Sequence, residues 1–231
     1  MANFASSFVL LLALLLHGHL VFAQDCAGIA PGFRAVDTFT LKAETNPLTA
    51  QAAVNSDGTV NVFVEIPSGT TAKWELDKSD GALRWEFRKG KPRIVAYLGY
   101  PGNYGFIPRT LLPKEKGGDG DPLDVLVIGS AVPRGSTLTA RVIGVLRLVD
   151  EGEQDDKLIA VRPGEAFAGV QNLRDLDSNF PGITSILETW FTNYDGKGVT
   201  VSKGFGDAEE ARKILQVAEE SFSVYSLRLR L

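Results

Sequence analysis

The 231 residues predict a mainly β, α+β protein, a small closed antiparallel barrel with helices packed outside it. Three observations carry that expectation. From Val60 to Asp77 apolar residues alternate with polar ones, the period of a strand, and further strand-like runs as far as Val161 are separated by turns containing Gly or Pro. After Pro181 the apolar spacing changes to that of helices. The longest alternating run carries Gly144 in its interior, where a bend would help a sheet close on itself.

The elements follow in order. Residues 24–57 are rich in Ala, Thr, Pro and Asn without sustained periodicity and read as an irregular arm on the surface. Residues 58–231 form the barrel domain with its C-terminal helices. Val60, Val62, Val64 and Ile66 alternate with Asn61, Phe63 and Glu65, a strand with two distinct faces. Thr70 to Asp77 continues the pattern, and Lys78-Ser79-Asp80-Gly81 turns the chain into a partner strand, Ala82 to Phe87. Further strands are expected at Ile94–Leu98, Leu123–Ile128, Thr137–Val149 and Leu158–Val161. A helix over Gly182–Tyr194 places Ile183, Ile186, Leu187, Trp190 and Phe191 on one stripe. A second opens at Asp207 with Glu210 three residues on, burying Ala211, Ile214, Leu215, Ala218 and Phe222.

A chain 44% hydrophobic and 23% charged is long enough for one sizeable core, and its formal charge of -4 argues against a nucleic-acid surface, which needs a basic stripe. Residues 1–23 contain no Lys, Arg, Asp or Glu; the apolar run Phe8–Leu16 and the small residues before Gln24 read as a secretory signal cleaved near Ala23. Export to a periplasm, a secretory lumen or the medium is therefore expected, with no stable membrane association after cleavage. The interrupted run is too short for a membrane span. Cys26 is the only cysteine, so no internal disulfide can form, and Asp25 before it disfavours lipidation.

Eight acidic residues gather in three blocks: Glu65 and Glu75; Asp119, Asp121 and Asp124; Asp150, Asp155 and Asp156. Carboxylates crowded into one cleft repel each other unless hard cations lie between them, most plausibly magnesium. The strongest of the blocks is Asp119-Gly120-Asp121-Pro122-Leu123-Asp124, where Gly120 and Pro122 tighten the turn so that three carboxylates converge. That set suits a metal pair able to activate water, and it lacks the ligand register of an EF-hand. Lys73, Arg93 and Lys157 supply cations for phosphoryl oxygens that the carboxylates alone would repel. Tyr100 and Tyr104 flank Pro101-Gly102-Asn103 and are equally well read as core or turn aromatics.

Glu65-Ile66-Pro67, Lys73-Trp74-Glu75-Leu76-Asp77, Asn103-Tyr104-Gly105-Phe106-Ile107-Pro108, Asp119 to Asp124 and Asp150 to Lys157 together resemble the ordered signature set of the soluble family I inorganic pyrophosphatases. The resemblance implies a five-stranded barrel of the oligonucleotide-binding type and magnesium-dependent hydrolysis of pyrophosphate to two phosphates by a metal-activated water. Several Mg2+ ions would share the site, with Mn2+ or other divalents able to substitute. It further implies metal ligation by Asp119, Asp124, Asp150, Asp155 and Glu65, and proton transfer through Asp121. Phosphate binding would fall to Lys73, Arg93, Lys157, Tyr104 and Tyr194, with Glu75 and Tyr100 in support, Arg88 being the rival of Arg93. A homo-oligomer, dimeric or hexameric, is expected on the same ground. One position departs from the pattern: Asp195 follows Tyr194 where the family has lysine, so that a phosphate-binding lysine is missing or is replaced after a short deletion by Lys197. That departure keeps organic diphosphates or short polyphosphates open as substrates. A non-catalytic metal-binding barrel is the reading from a different class.

Overall fold

The computed structural model describes residues 28–164 and 166–228; the expected signal 1–23 and Cys26 lie outside the described residues. The strands are β1 Phe33–Asp37, β2 Thr40–Ala43, β3 Val60–Ile66, β4 Trp74–Leu76, β5 Ala82–Trp85, β6 Phe87–Arg88 and β7 Lys91–Pro92. They continue with β8 Asn103–Phe106, β9 Asp124–Ile128, β10 Thr137–Asp150, β11 Glu153–Gln154, β12 Lys157–Val161 and β13 Thr200–Gly206. The α-helices among the described residues are α1 Leu173–Asn179, α2 Ile183–Phe191 and α3 Ala208–Arg228.

The protein is mainly β, and its largest sheet follows the order β11-β10-β12-β9-β8-β3, with β13 paired to β10 and a further pairing of β10 to β3. Pairing therefore passes in a ring through β3, β8, β9, β12 and β10. Strand β10 makes this possible by its length. Its first residues, Thr137–Ala140, pair with β3, its middle pairs with β12, and its end from Val145 pairs with β13. The β10–β12 register shifts between Val142 and Gly144. A Cβ on Gly144 would stand 2.5 Å from Leu173 Cδ1 and 2.8 Å from Gly206 O, so glycine allows neighbouring backbone to close in.

Both faces of the central strands are buried, which is why β9 and β12 read as nearly continuous apolar runs. Val125, Val127, Leu158 and Ala160 join Val60, Val62 and Val64 in one cluster, against Ala211, Leu215 and Ala218 of α3. The alternate residues Leu126, Ile128, Ile159 and Val161 join a second cluster with Leu176, Leu187, Trp190 and Phe191 of α1 and α2. A third joins Phe63 and Phe106 to Trp74, Leu83 and Trp85 of the small sheet β1-β2-β5-β4. Each fully buried aliphatic or aromatic side chain contributes about 1.5–3 kcal/mol, so these layers hold the cleft walls in place. Asp207 caps α3, its Oδ1 accepting from the N–H groups of Glu209 at 3.0 Å and Glu210 at 2.9 Å.

Several expectations are corrected. The ring is not wholly antiparallel, because β9 and β12 pair in parallel, Leu158 opposite Val125. The chain reverses into β10 and back again, and β12 inserts beside β9 with the same direction. A third helix, α1, accompanies the two expected. The supposed irregular arm contains the β1–β2 hairpin, which docks through Thr40, Leu41 and Lys42 opposite Arg84, Leu83 and Ala82 of β5. Most of β1 is exposed, so no buried face marks it in the sequence. Ile94–Leu98 forms no strand: Ile94 makes a single bridge to Ala72, and Tyr97 and Leu98 face solvent. Ile186, assigned to the buried stripe of α2, is exposed.

Candidate active site

The ring and the small sheet bring their polar ends to a cleft of about 400 Å³. Strand β3 delivers Glu65, β4 and its approach deliver Glu75 and Lys73, and the β6–β7 hairpin delivers Arg88 and, just beyond it, Arg93. Tyr100 and Tyr104 come from β8 and its approach, Asp119, Asp121 and Asp124 from the loop entering β9, and Asp150 from the end of β10. Asp155 and Lys157 enter at β12, Tyr194 and Asp195 after α2. The acidic loop is shaped by its own backbone: Asp119 Oδ1 accepts the Asp121 N–H at 2.9 Å, and Gly120 adopts φ +92, open to glycine. Leu112 ties the turn down, donating to Asp121 O at 3.0 Å and accepting from Gly120 at 2.9 Å.

Nine carboxyl groups face five lysine and arginine side chains across this cleft. Buried Lys157 sits between Asp124, at 2.5 Å, and Asp155. Burial would lower its pKa, but those two carboxylates outweigh it and hold the ammonium above the usual lysine range. Burial likewise opposes the charge on Lys73, which Tyr100 and Glu75 nonetheless hold above the ordinary value. Glu65, its Oε1 accepting the Leu76 N–H at 2.7 Å, is pushed up to about 8, chiefly by burial and then by Asp124 and Glu75. Asp119 is raised by burial and by Asp124; Asp155 is raised by burial and Asp124 against the pull of Lys157. Burial also raises Tyr100 and Tyr104, and Tyr104 hydrogen-bonds Asp124.

Among the described residues no group of three or more carboxyl or imidazole side chains stands ready to grip an ion as placed. Ammonium groups stand between the acids instead, Lys157 between Asp124 and Asp155 and Lys78 against Asp121. A side-chain cation taking that place, hard oxygen donors, and carboxyls raised by burial and then by one another all fit a site for divalent ions.

The inorganic pyrophosphatase family model matches residues 62–223. The chain belongs to that family. An inorganic pyrophosphatase of Sulfolobus acidocaldarius is 36% identical over 170 residues, covering 71% of this chain and 91% of that protein. One from Drosophila melanogaster is also 36% identical over 176 residues, 68% of this chain, but the match spans only 52% of that longer protein. The crystal structure of a type I inorganic pyrophosphatase from P. falciparum superposes with a TM-score of 0.75 at 26% identity, over 86% of this chain and 69% of that one.

All thirteen residues assigned to the pyrophosphatase site from sequence line the one cleft: Glu65, Lys73, Glu75, Arg93, Tyr100, Tyr104, Asp119, Asp121, Asp124, Asp150, Asp155, Lys157 and Tyr194. Asp156, of the same acidic block, is otherwise engaged, accepting from the Leu148 backbone N–H at 3.0 Å and from the Gln154 side-chain amide at 2.7 Å. Arg88 and Arg93 do not exclude each other, since both reach Asp195. Two participants escaped sequence reading. In the sequence Lys78 reads only as part of a turn, and Glu86, which holds Arg93 through both oxygens at 3.0 and 2.8 Å, belongs to no motif. Tyr194 is fixed by stacking on Trp190, with centroids 4.6 Å apart and planes 5° from parallel.

Proposed function

We propose that the chain hydrolyses inorganic pyrophosphate to two phosphates in a divalent-dependent reaction, with magnesium the natural ion. The carrying observation is Lys157 lodged between Asp124 and Asp155 in a cleft where nine acids outnumber five cations. Asp119, Asp124, Asp150, Asp155 and Glu65 would hold the ions, which supply Lewis-acid neutralisation of phosphoryl oxygens and lower the pKa of water. Lys73, Arg93, Lys157, Tyr104 and Tyr194 orient the substrate so that water meets one phosphorus in line with the bridging oxygen. As the new P–O bond forms, the bridging P–O bond breaks and its electron pair leaves with the departing phosphate. Asp121 accepts the proton of the attacking water, for which it must part from Lys78. In the same reading, the five-stranded ring is a closed barrel of the oligonucleotide-binding type.

Export, on the composition of residues 1–23, and assembly into a homo-oligomer belong to this proposal. Leu98, 72% exposed, accepts the Trp190 indole N–H through its carbonyl, and exposed Ile186 lies one helical turn before Trp190, so the surface there suits a subunit contact. Sedimentation of the purified protein measures it.

The test of activity is phosphate release from pyrophosphate by the form lacking residues 1–23, across magnesium, manganese and calcium and with chelator. Release with magnesium and none with chelator is expected. Asp121→Asn should slow turnover about 10²-fold or more with an unchanged circular-dichroism spectrum. Equal rates on organic diphosphates would broaden the substrate, and no release with any ion would leave a binding protein.

A further inference from the structure

We infer that Asp195 limits the affinity of the cleft for anions: its carboxylate occupies the Arg88–Arg93 guanidinium pair, where a phosphoryl group would have to displace or oppose it. The inference rests on reading the cleft as a phosphate site. Asp195 Oδ1 lies 2.6 Å from Arg88 Nη1 and Oδ2 lies 3.2 Å from Arg93 Nη2. One carboxylate thus spans two guanidinium groups with separate oxygens, as the oxygens of a phosphate would.

The cations do not depend on Asp195 for their presence in the cleft. Arg93 Nη1 is held from its other side by both oxygens of Glu86, so removing Asp195 leaves that guanidinium oriented. Arg88, 52% exposed, stands at the mouth, while Arg93 and Asp195 are 14% and 19% exposed. A carboxylate half withdrawn from water screens two neighbouring positive charges more effectively than one in bulk solvent.

Nor can the backbone that carries Asp195 readily move away. Its turn follows α2 directly, with Tyr194 N–H donating to Trp190 O at 3.0 Å, Gly196 N–H donating to Asn193 O at 3.1 Å, and the Tyr194 ring stacked on Trp190. Arg88 is the member free to move on ligand entry, because its strand β6 pairs only with the two-residue β7. An entering anion therefore meets a fixed negative charge beside its cationic seat, which weakens retention of the product phosphate as well as of the substrate. Asp195 acts through the arginines and is a positioning residue that sets affinity.

The experiment is calorimetric titration of inorganic phosphate into wild type, Asp195→Asn and Asp195→Glu in chelator, followed by phosphate inhibition of turnover with magnesium. The amide keeps an acceptor for Arg88 but removes the charge, so Asp195→Asn should bind phosphate about fivefold more tightly and be inhibited at correspondingly lower phosphate. Asp195→Glu, which keeps the charge, should stay within about twofold of wild type. In an Arg88→Gln background the gain should disappear, since the two substitutions act on one pair. Asp195→Ser offers the same readout if the amide is not accommodated. Equal or weaker phosphate binding by the Asn and Ser variants, or an equal gain in Asp195→Glu, overturns the inference. Tighter binding without any pyrophosphate turnover would refute the proposed activity and leave the seat intact; turnover without tighter binding would do the reverse.

Discussion

Replacing Glu65 with glutamine should stabilise the protein in alkaline solution and leave it nearly unchanged in acid. Glu65 is 7% exposed and its carboxyl is pushed up to about 8 from an ordinary 4.5, by burial first and by Asp124 and Glu75 next. Glutamine keeps the oxygen that accepts the Leu76 N–H at 2.7 Å, so the backbone contact survives. Below pH 4.5 the carboxyl is protonated whether the chain is folded or not, and the two proteins should match. Between pH 4.5 and about 8 the unfolded chain gives up the proton while the folded one keeps it. Wild type then loses about 1.4 kcal/mol of stability per pH unit relative to the variant. Above pH 8 both states are ionised and the gap is constant, on the order of 5 kcal/mol. Urea unfolding followed by tryptophan fluorescence, from pH 4 to pH 9 in chelator, reads this difference directly. A gap that does not change with pH would refute the burial argument. Adding magnesium at pH 8 should narrow it, because an ion held by ionised Glu65 as well as the aspartates stabilises wild type more than the variant; an unaltered gap would remove Glu65 from the ion-binding set.

Lys157→Met leaves Asp124 and Asp155 facing each other without their shared counter-charge, and should cost about 3 kcal/mol in chelator, measured by urea unfolding, with part recovered in magnesium. Gly105→Ala would set a Cβ 1.8 Å from Phe63 O, forcing β8 away from β3; a loss of about 3 kcal/mol in thermal or urea unfolding is expected, along with weaker pyrophosphate binding through displaced Tyr104. Asp207→Ala removes acceptors from two N–H groups of the first turn of α3 and should lower stability by about 1 kcal/mol while leaving turnover unchanged.

Much of the frame was legible in the chain itself. The expected strands at β3, β9, β10 and β12 survive because each buries one set of residues in one cluster and the next set in another. The cap at Asp207 and the stripe of α3 are likewise local. The acidic blocks were visible as chemistry because carboxylates at short spacing have few other uses, and those of the site indeed share a cleft. Strands β8 and β13 were missed for a common reason. Asn103–Phe106 and Thr200–Gly206 each contain glycine and little alternation, and they become strands only because β3, β9 and β10 offer them edges.

Residue order, then, determined the apolar runs of the central strands, where α2 and α3 begin and which carboxyls and cations are available, since these depend on spacing along a few turns of chain. Tertiary structure alone decided that β12 runs parallel beside β9, that Lys78 closes on Asp121, and that Asp195 meets Arg88 across 107 positions of sequence. Which charge neutralises which depends on where separate backbones come to rest, and no local period encodes that distance.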